Sequence, residues 1–123
     1  MEWNIKKELS FACLIVDIKQ IGEDFCIILQ GGNRPHIGST VLSVPRPSLT
    51  GNGEVSVTSS VLNITGHKDE KICRYLAEQT AKYKNAVVTC TGGFHVDNIT
   101  GEQLQEVQDC MESIWEEIRE KLK

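Results

Sequence analysis

Three histidines stand in three short glycine-bearing loops, each close to a charged residue. Gly31 to Gly38 (GGNRPHIG) holds Arg34 and His36, Thr65 to Lys68 (TGHK) holds His67, and Thr91 to Asn98 (TGGFHVDN) holds His95 with Asp97. An imidazole can donate or accept a hydrogen bond, carry charge near neutral pH or ligate a metal. Arg34 and Lys68 beside His36 and His67 point to recognition of a phosphate or carboxylate through charge-assisted hydrogen bonds. Imidazoles from separate loops could also hold zinc. The sequence has no H-x-H or H-x-x-x-H spacing and no carboxylate motif beside them, so metal ranks below an anion and none is expected. A nucleophilic triad is weaker still. There is no G-x-S-x-G elbow, and Cys90, the nearest cysteine to these loops, stands in a strand-like run.

Each loop has an ordinary reading as well, because Gly and Pro are common turn residues and a loop histidine is usually solvated. Asp97 could orient His95 or serve as acid or base, but with Asn98 it could equally form an Asx-type turn, which is the simpler use. Phe94 could offer a flat face to an aromatic ligand, although core packing is the commoner use of such a ring.

The elements that must carry these loops are legible from hydrophobic patterning. Phe11 to Lys19 and Asp24 to Gln30 are apolar, β-branched runs around a turn at Ile21-Gly22-Glu23, which predicts a hairpin, covered on one face and part-covered on the other. Trp3 to Leu9 can add an edge strand. Ser39 to Val44 predicts a strand ending at Pro45-Arg46-Pro47, and Glu54 to Thr65 a strand whose change of phase suggests a bulge near Ser59-Ser60. Lys68 to Lys84 predicts an amphipathic helix with an apolar stripe through Ile72, Tyr75, Leu76, Gln79 and Tyr83; Asn85 to Thr91 predicts a short strand. Thr100 and Gln103 form a capping box for a last helix with a stripe from Leu104 to Leu122.

The resulting expectation is one α+β domain over residues 1–123, a two-layer sandwich with a mixed sheet of five to six strands and two helices on one face, in the order βββ(β)-α-β-α. The unit from Glu54 to Thr91 should be a crossover between parallel strands, with the early hairpin antiparallel to its neighbours. Parallel strands share their carboxyl edge, which would bring Thr65-Gly66-His67 near Thr91-Gly92-Gly93-Phe94-His95. A helix start there, with Lys68, would favour an anion. Arg34 and His36 would complete a cationic pocket if strand order brings them to the same edge.

Composition narrows the classes of function. With 123 residues, 40% hydrophobic, the chain can bury one core. Its net charge of −4 argues against broad affinity for nucleic acid or anionic membranes. No apolar run approaches the roughly 20 residues that cross a bilayer, and the first residues are no signal peptide, so the expected location is cytoplasmic. Five scattered cysteines without C-x-x-C suggest buried fillers rather than disulfides or a zinc ribbon.

Four ordered motifs, PHIG (Pro35 to Gly38), PRPSL (Pro45 to Leu49), SVLNITGHK (Ser60 to Lys68) and FHVDNIT (Phe94 to Thr100), resemble a bacterial domain family. The family is typified by the small accessory component of gallate-type decarboxylases and described as a prenylated-flavin chaperone; the likeness runs from about Gly31 to the last helix. The resemblance implies a fold related to proteasome assembly chaperones, often dimeric, and an accessory role for a decarboxylase that uses prenylated flavin mononucleotide or FMN. It does not imply catalysis by this chain. The positions it would carry over are His36, Gly66, His67, Lys68, His95, Asp97 and Asn98, with Arg34 as a neighbour. Cofactor phosphate would suit the helix start from Thr65 to Lys68, and Phe94 could approach the isoalloxazine. Two other readings stand beside this one: a dimeric protein-binding module whose histidine loops only shape turns, and a small enzyme using His67 or His95 as acid or base.

Overall fold

A computed structural model describes residues 1–64 and 68–123. Six strands, β1 (Glu2–Glu8), β2 (Cys13–Ile21), β3 (Asp24–Gly32), β4 (Ser39–Pro47), β5 (Val55–Asn63) and β6 (Val88–His95), form one sheet with two helices, α1 (Lys68–Lys84) and α2 (Gly101–Lys121). The strand order is β1-β2-β3-β6-β4-β5. Inward positions alternate along the strands, as in Leu14, Val16 and Ile18 of β2 and Phe25, Ile27 and Leu29 of β3, and they share one core with the buried stripes of both helices. The α+β sandwich is as the patterning predicts, and β1 is an edge strand, with β5 at the opposite edge.

Strand directions decide where the loops go. β6 is parallel to β3 and antiparallel to β4, and β4 is antiparallel to β5. The crossover strands β5 and β6 are therefore parallel, as expected, but β4 lies between them. The early hairpin is antiparallel to its neighbour β1, as expected, but on its other side β3 runs parallel to β6. The carboxyl ends of β3, β5 and β6 thus meet at one edge with the start of β4.

Three other expectations are corrected. β4 continues through Pro45 and Pro47 opposite Val57 and Val55. Its pairing with β6 ends at Ser43, so the proline stretch has a neighbour on one side only, where a missing N–H is tolerated. There is no bulge at Ser59-Ser60, since the β4–β5 register is unbroken and Leu62 simply faces solvent. β6 extends to His95, opposite Gly32, because a central strand finds partners beyond its apolar run.

In α1 the buried face is Asp69, Ile72, Cys73, Leu76, Ala77, Thr80 and Ala81. Small side chains let this helix lie close on the sheet, while Tyr83 turns to an edge-on contact with Trp115 of α2 at 5.8 Å. The α2 start is as predicted. Gln103 N–H donates to Thr100 Oγ1 at 3.1 Å, and Thr100 N–H donates to Gln103 Oε1 at 3.0 Å. The open sheet face carries Ile28, Leu42, Val44 and Leu62 at least 38% exposed, while Ile15, Asp17, Cys26 and Gln30 on the outward side of the hairpin are half-buried, so its second face is part-covered as expected.

Candidate functional site

The segment after β3 is strapped onto β6. Asn33 N–H donates to His95 O at 2.8 Å and Gly38 N–H donates to Gly92 O at 2.9 Å, so the loop between them crosses the carboxyl end of the strand. His36 and His95 consequently face each other edge-on, with ring centroids 5.8 Å apart. Each imidazole has its own carboxylate. His36 Nε2 stands 3.2 Å from Asp69 Oδ2, and His95 Nε2 stands 3.0 Å from Asp97 Oδ1.

Asp69 is the part that sequence reading missed, because an acidic residue in the first turn of a helix has an ordinary role beside the dipole. Here its side chain is only 5% exposed. Its Oδ1 accepts the Phe94 N–H at 2.9 Å, joining α1 to β6, while Oδ2 faces His36. Two glycines make room for it. A Cβ at Gly38 would collide with Asp69 Oδ2, and one at Gly93 would lie 2.9 Å from His36 Nε2 and 3.0 Å from the Asp69 carboxyl carbon. Those glycines in GGNRPHIG and TGGFHVDN are the sequence trace of this packing.

The second pair is built on the surface. Arg34 Nη2 donates to Asp97 Oδ1 at 2.6 Å and lies 3.1 Å from His95 Nε2. Arginine offers only donors, so the arrangement closes if His95 Nε2–H and Arg34 both donate to the same carboxylate oxygen. The hydrogen bond from His95, and then that from Arg34 with its charge, holds the Asp97 carboxyl below the usual carboxylate range. Asp97 N–H also donates to Asn33 Oδ1 at 3.2 Å, so the strap and this loop are locked together. Of the two uses open to Asp97, orienting the imidazole is the one realised; Asn98, with φ 56°, supplies the left-handed turn into α2.

Lys68 begins α1 with its Nζ 6.0 Å from the centre of the Phe94 ring. That ring is fully buried and packs edge-on against Phe11 at 6.0 Å, so Phe94 serves the core and presents no face to a ligand. Thr65, Gly66 and His67 lie outside the described residues. The structure thus brings Arg34, His36, His95 and Asp97 together, adds Asp69 and Asn33, and sets Lys68 and Phe94 at the adjoining helix start. Among the described residues no group of three or more His, Cys, Asp or Glu side chains is arranged to hold a metal ion. Burial pushes the Cys110 thiol up to about 11, and a hydrogen bond to Cys73 followed by burial raises Cys90, so neither is poised as a thiolate.

What this arrangement can do is offer hydrogen-bond donors to a polar or anionic group, with the Asp69 and Asp97 carboxylates balancing its fixed positive charge. Arg34 and Lys68 bring fixed positive charge, and the two imidazoles bring ring nitrogens whose second positions are not used by Asp69 or Asp97. The family model described as the prenylated flavin chaperone LpdD-like domain matches residues 11–123. Protein LpdD of Lactiplantibacillus plantarum is 32% identical over 95 residues, covering 71% of this chain but only 60% of that protein. In a crystal structure of a chaperone complex for yeast 20S proteasome assembly, one chain superposes with a TM-score of 0.58 at 13% identity, over 98% of this chain and 94% of that one. That likeness is one of fold. Among the described residues, no helix is long and apolar enough to cross a membrane.

Proposed function

Because this chain belongs to the prenylated flavin chaperone LpdD-like domain family, we propose that it is a non-catalytic accessory protein that binds prenylated FMN, or FMN itself, and hands it to a decarboxylase. The observation that carries the reading is the meeting of Arg34, His36 and His95 at the carboxyl edge of the sheet, beside the start of α1. A phosphate would receive charge-assisted hydrogen bonds from Arg34 and the imidazoles, with Lys68 at the helix start; Thr65, Gly66 and His67, the residues before it in sequence, are further candidate contacts. Asn98 holds the turn that presents Asp97, and so acts on the site indirectly. The partner is a decarboxylase that uses this cofactor, and the working form is a homodimer in the cytoplasm.

Titrating the purified chain with FMN and with prenylated FMN tests the cofactor. Binding is expected, and His36→Ala and His95→Ala should each weaken it about tenfold, the worth of one hydrogen bond to a charged group. Failure of the wild-type chain to bind either flavin would sink the reading. A second reading, a protein-binding module without ligand, draws on the open sheet face and the shared fold with the proteasome assembly chaperone. It predicts that both histidine variants still support the decarboxylase, and sedimentation of the wild-type chain reports the dimer under either reading.

A further inference from the structure

Next to the histidine cluster, on the sheet face that the helices leave open, lies a cleft of about 310 Å³ lined by Ile28, Gln30, Pro35, His36, Ile37 and Thr91. Its floor is the outward side of β3 and β6, where Ile28 stands opposite Thr91. Ile28 and Ile37 are 45% and 64% exposed, apolar groups on a surface where water is the alternative neighbour. The Thr91 hydroxyl is spent on Thr40 Oγ1 at 2.6 Å, which leaves this floor poor in free polar atoms. Gln30 sets an amide, donor and acceptor both, at the rim.

His36 belongs to the cleft and to the cluster at once, and its contact with Asp69 fixes the ring between them. The site therefore has an apolar half and a polar half, in which Arg34 and the imidazoles are paired with Asp97 and Asp69, and the two share one wall. Small-molecule sites run from roughly 300 to 1,000 Å³, so this cleft is at the lower bound, enough for a ring system and too little for a whole nucleotide. We propose that the cleft seats the flavin ring system against Ile28 and Ile37, while the phosphate remains outside it on Arg34, His36 and His95. The assignment rests on the flavin reading above and adds which surface grips which part of the ligand.

Three probes separate the halves: FMN, riboflavin, which has the ring without the phosphate, and inorganic phosphate as a competitor. Two variants alter the apolar half, Ile37→Glu in the loop and Ile28→Gln on the open face, and thermal melts check that both stay folded. Each should weaken FMN and riboflavin binding about tenfold, the effect of withdrawing one apolar contact, while the dissociation constant of phosphate itself, obtained from the competition after allowing for the FMN Kd of each variant, changes less than about twofold. If the wild-type chain binds FMN and both variants bind it equally well, the ring lies elsewhere and this proposal fails while the flavin reading survives. If the wild-type chain binds no flavin, both fall. If the variants change the sedimentation coefficient and leave FMN affinity untouched, the cleft is a protein interface, and the assignment is overturned.

Discussion

Asp69 and Asp97 each face an imidazole, and those rings stand 5.8 Å apart, yet the Asp69 side chain is 5% exposed and that of Asp97 59%. The buried carboxylate is held by a backbone N–H from β6 and hemmed by two glycines; the exposed one is held by two surface side chains, Arg34 and His95. The same two residue types therefore do different work. Asp69 ties α1, β6 and the strap into one piece, and its energetics are those of a desolvated group whose partners suffer if it leaves. Asp97 arranges Arg34 and His95 where solvent, or a ligand, competes for them.

Removing the buried partner should have the largest effect. Asp69→Ala strands the Phe94 N–H and withdraws the charge facing His36, and should cost about 3 kcal/mol in urea denaturation. Asp69→Asn, which keeps an acceptor for that N–H, should cost clearly less, and equal losses would show that the hydrogen bond to Phe94 is not what the carboxylate supplies. Gly38→Ala comes next. Its new methyl would strike the carboxylate that the glycine now admits, and about 2 kcal/mol is expected from the overpacking. The exposed pair should give the smallest change in stability: Asp97→Asn is expected to lower the urea midpoint only slightly, by less than either of the other two variants.

The exposed pair should instead declare itself in titration. Because His95 and Arg34 favour the ionised form of Asp97, its carboxyl should titrate below its ordinary value in carboxyl-carbon NMR, and the midpoint should move up in Arg34→Ala and in His95→Ala. A depressed folded-state value means that the contribution of this pair is complete above the ordinary carboxylate range and is lost as pH falls through the lowered value. An unshifted midpoint in the wild-type chain would erase the distinction drawn between an ordered surface cluster and an ordinary exposed carboxylate.

Much of the fold is legible in advance because burial leaves a local record. The alternation in β2 and β3, the Thr100–Gln103 box and the stripe of α2 all follow from side chains a few positions apart. The α1 stripe is less legible: Tyr75 and Tyr83 look like core residues by type, but Cys73, Ala77 and Ala81 are what the close sheet admits. At the site, GGNRPHIG and TGGFHVDN can be marked by residue type, and His36 with His95 are indeed neighbours. Nothing local could say that Asp69 completes the group, since its partners stand 25 and 33 positions away in sequence.

The sequence by itself determined the two layers, the helix ends and the candidate loops, because hydrophobic period, capping and turn chemistry act over one or two turns of chain. Tertiary structure alone decided that β6 enters between β3 and β4, and everything at the site follows from that insertion. It sets the end of β3 beside the end of β6, draws the loop from Asn33 to Gly38 across the strand, and turns a first-turn aspartate into a buried partner for His36. The reason is physical: strand order is chosen by the packing of the whole sheet under two helices, a choice to which no single segment of the chain is sensitive.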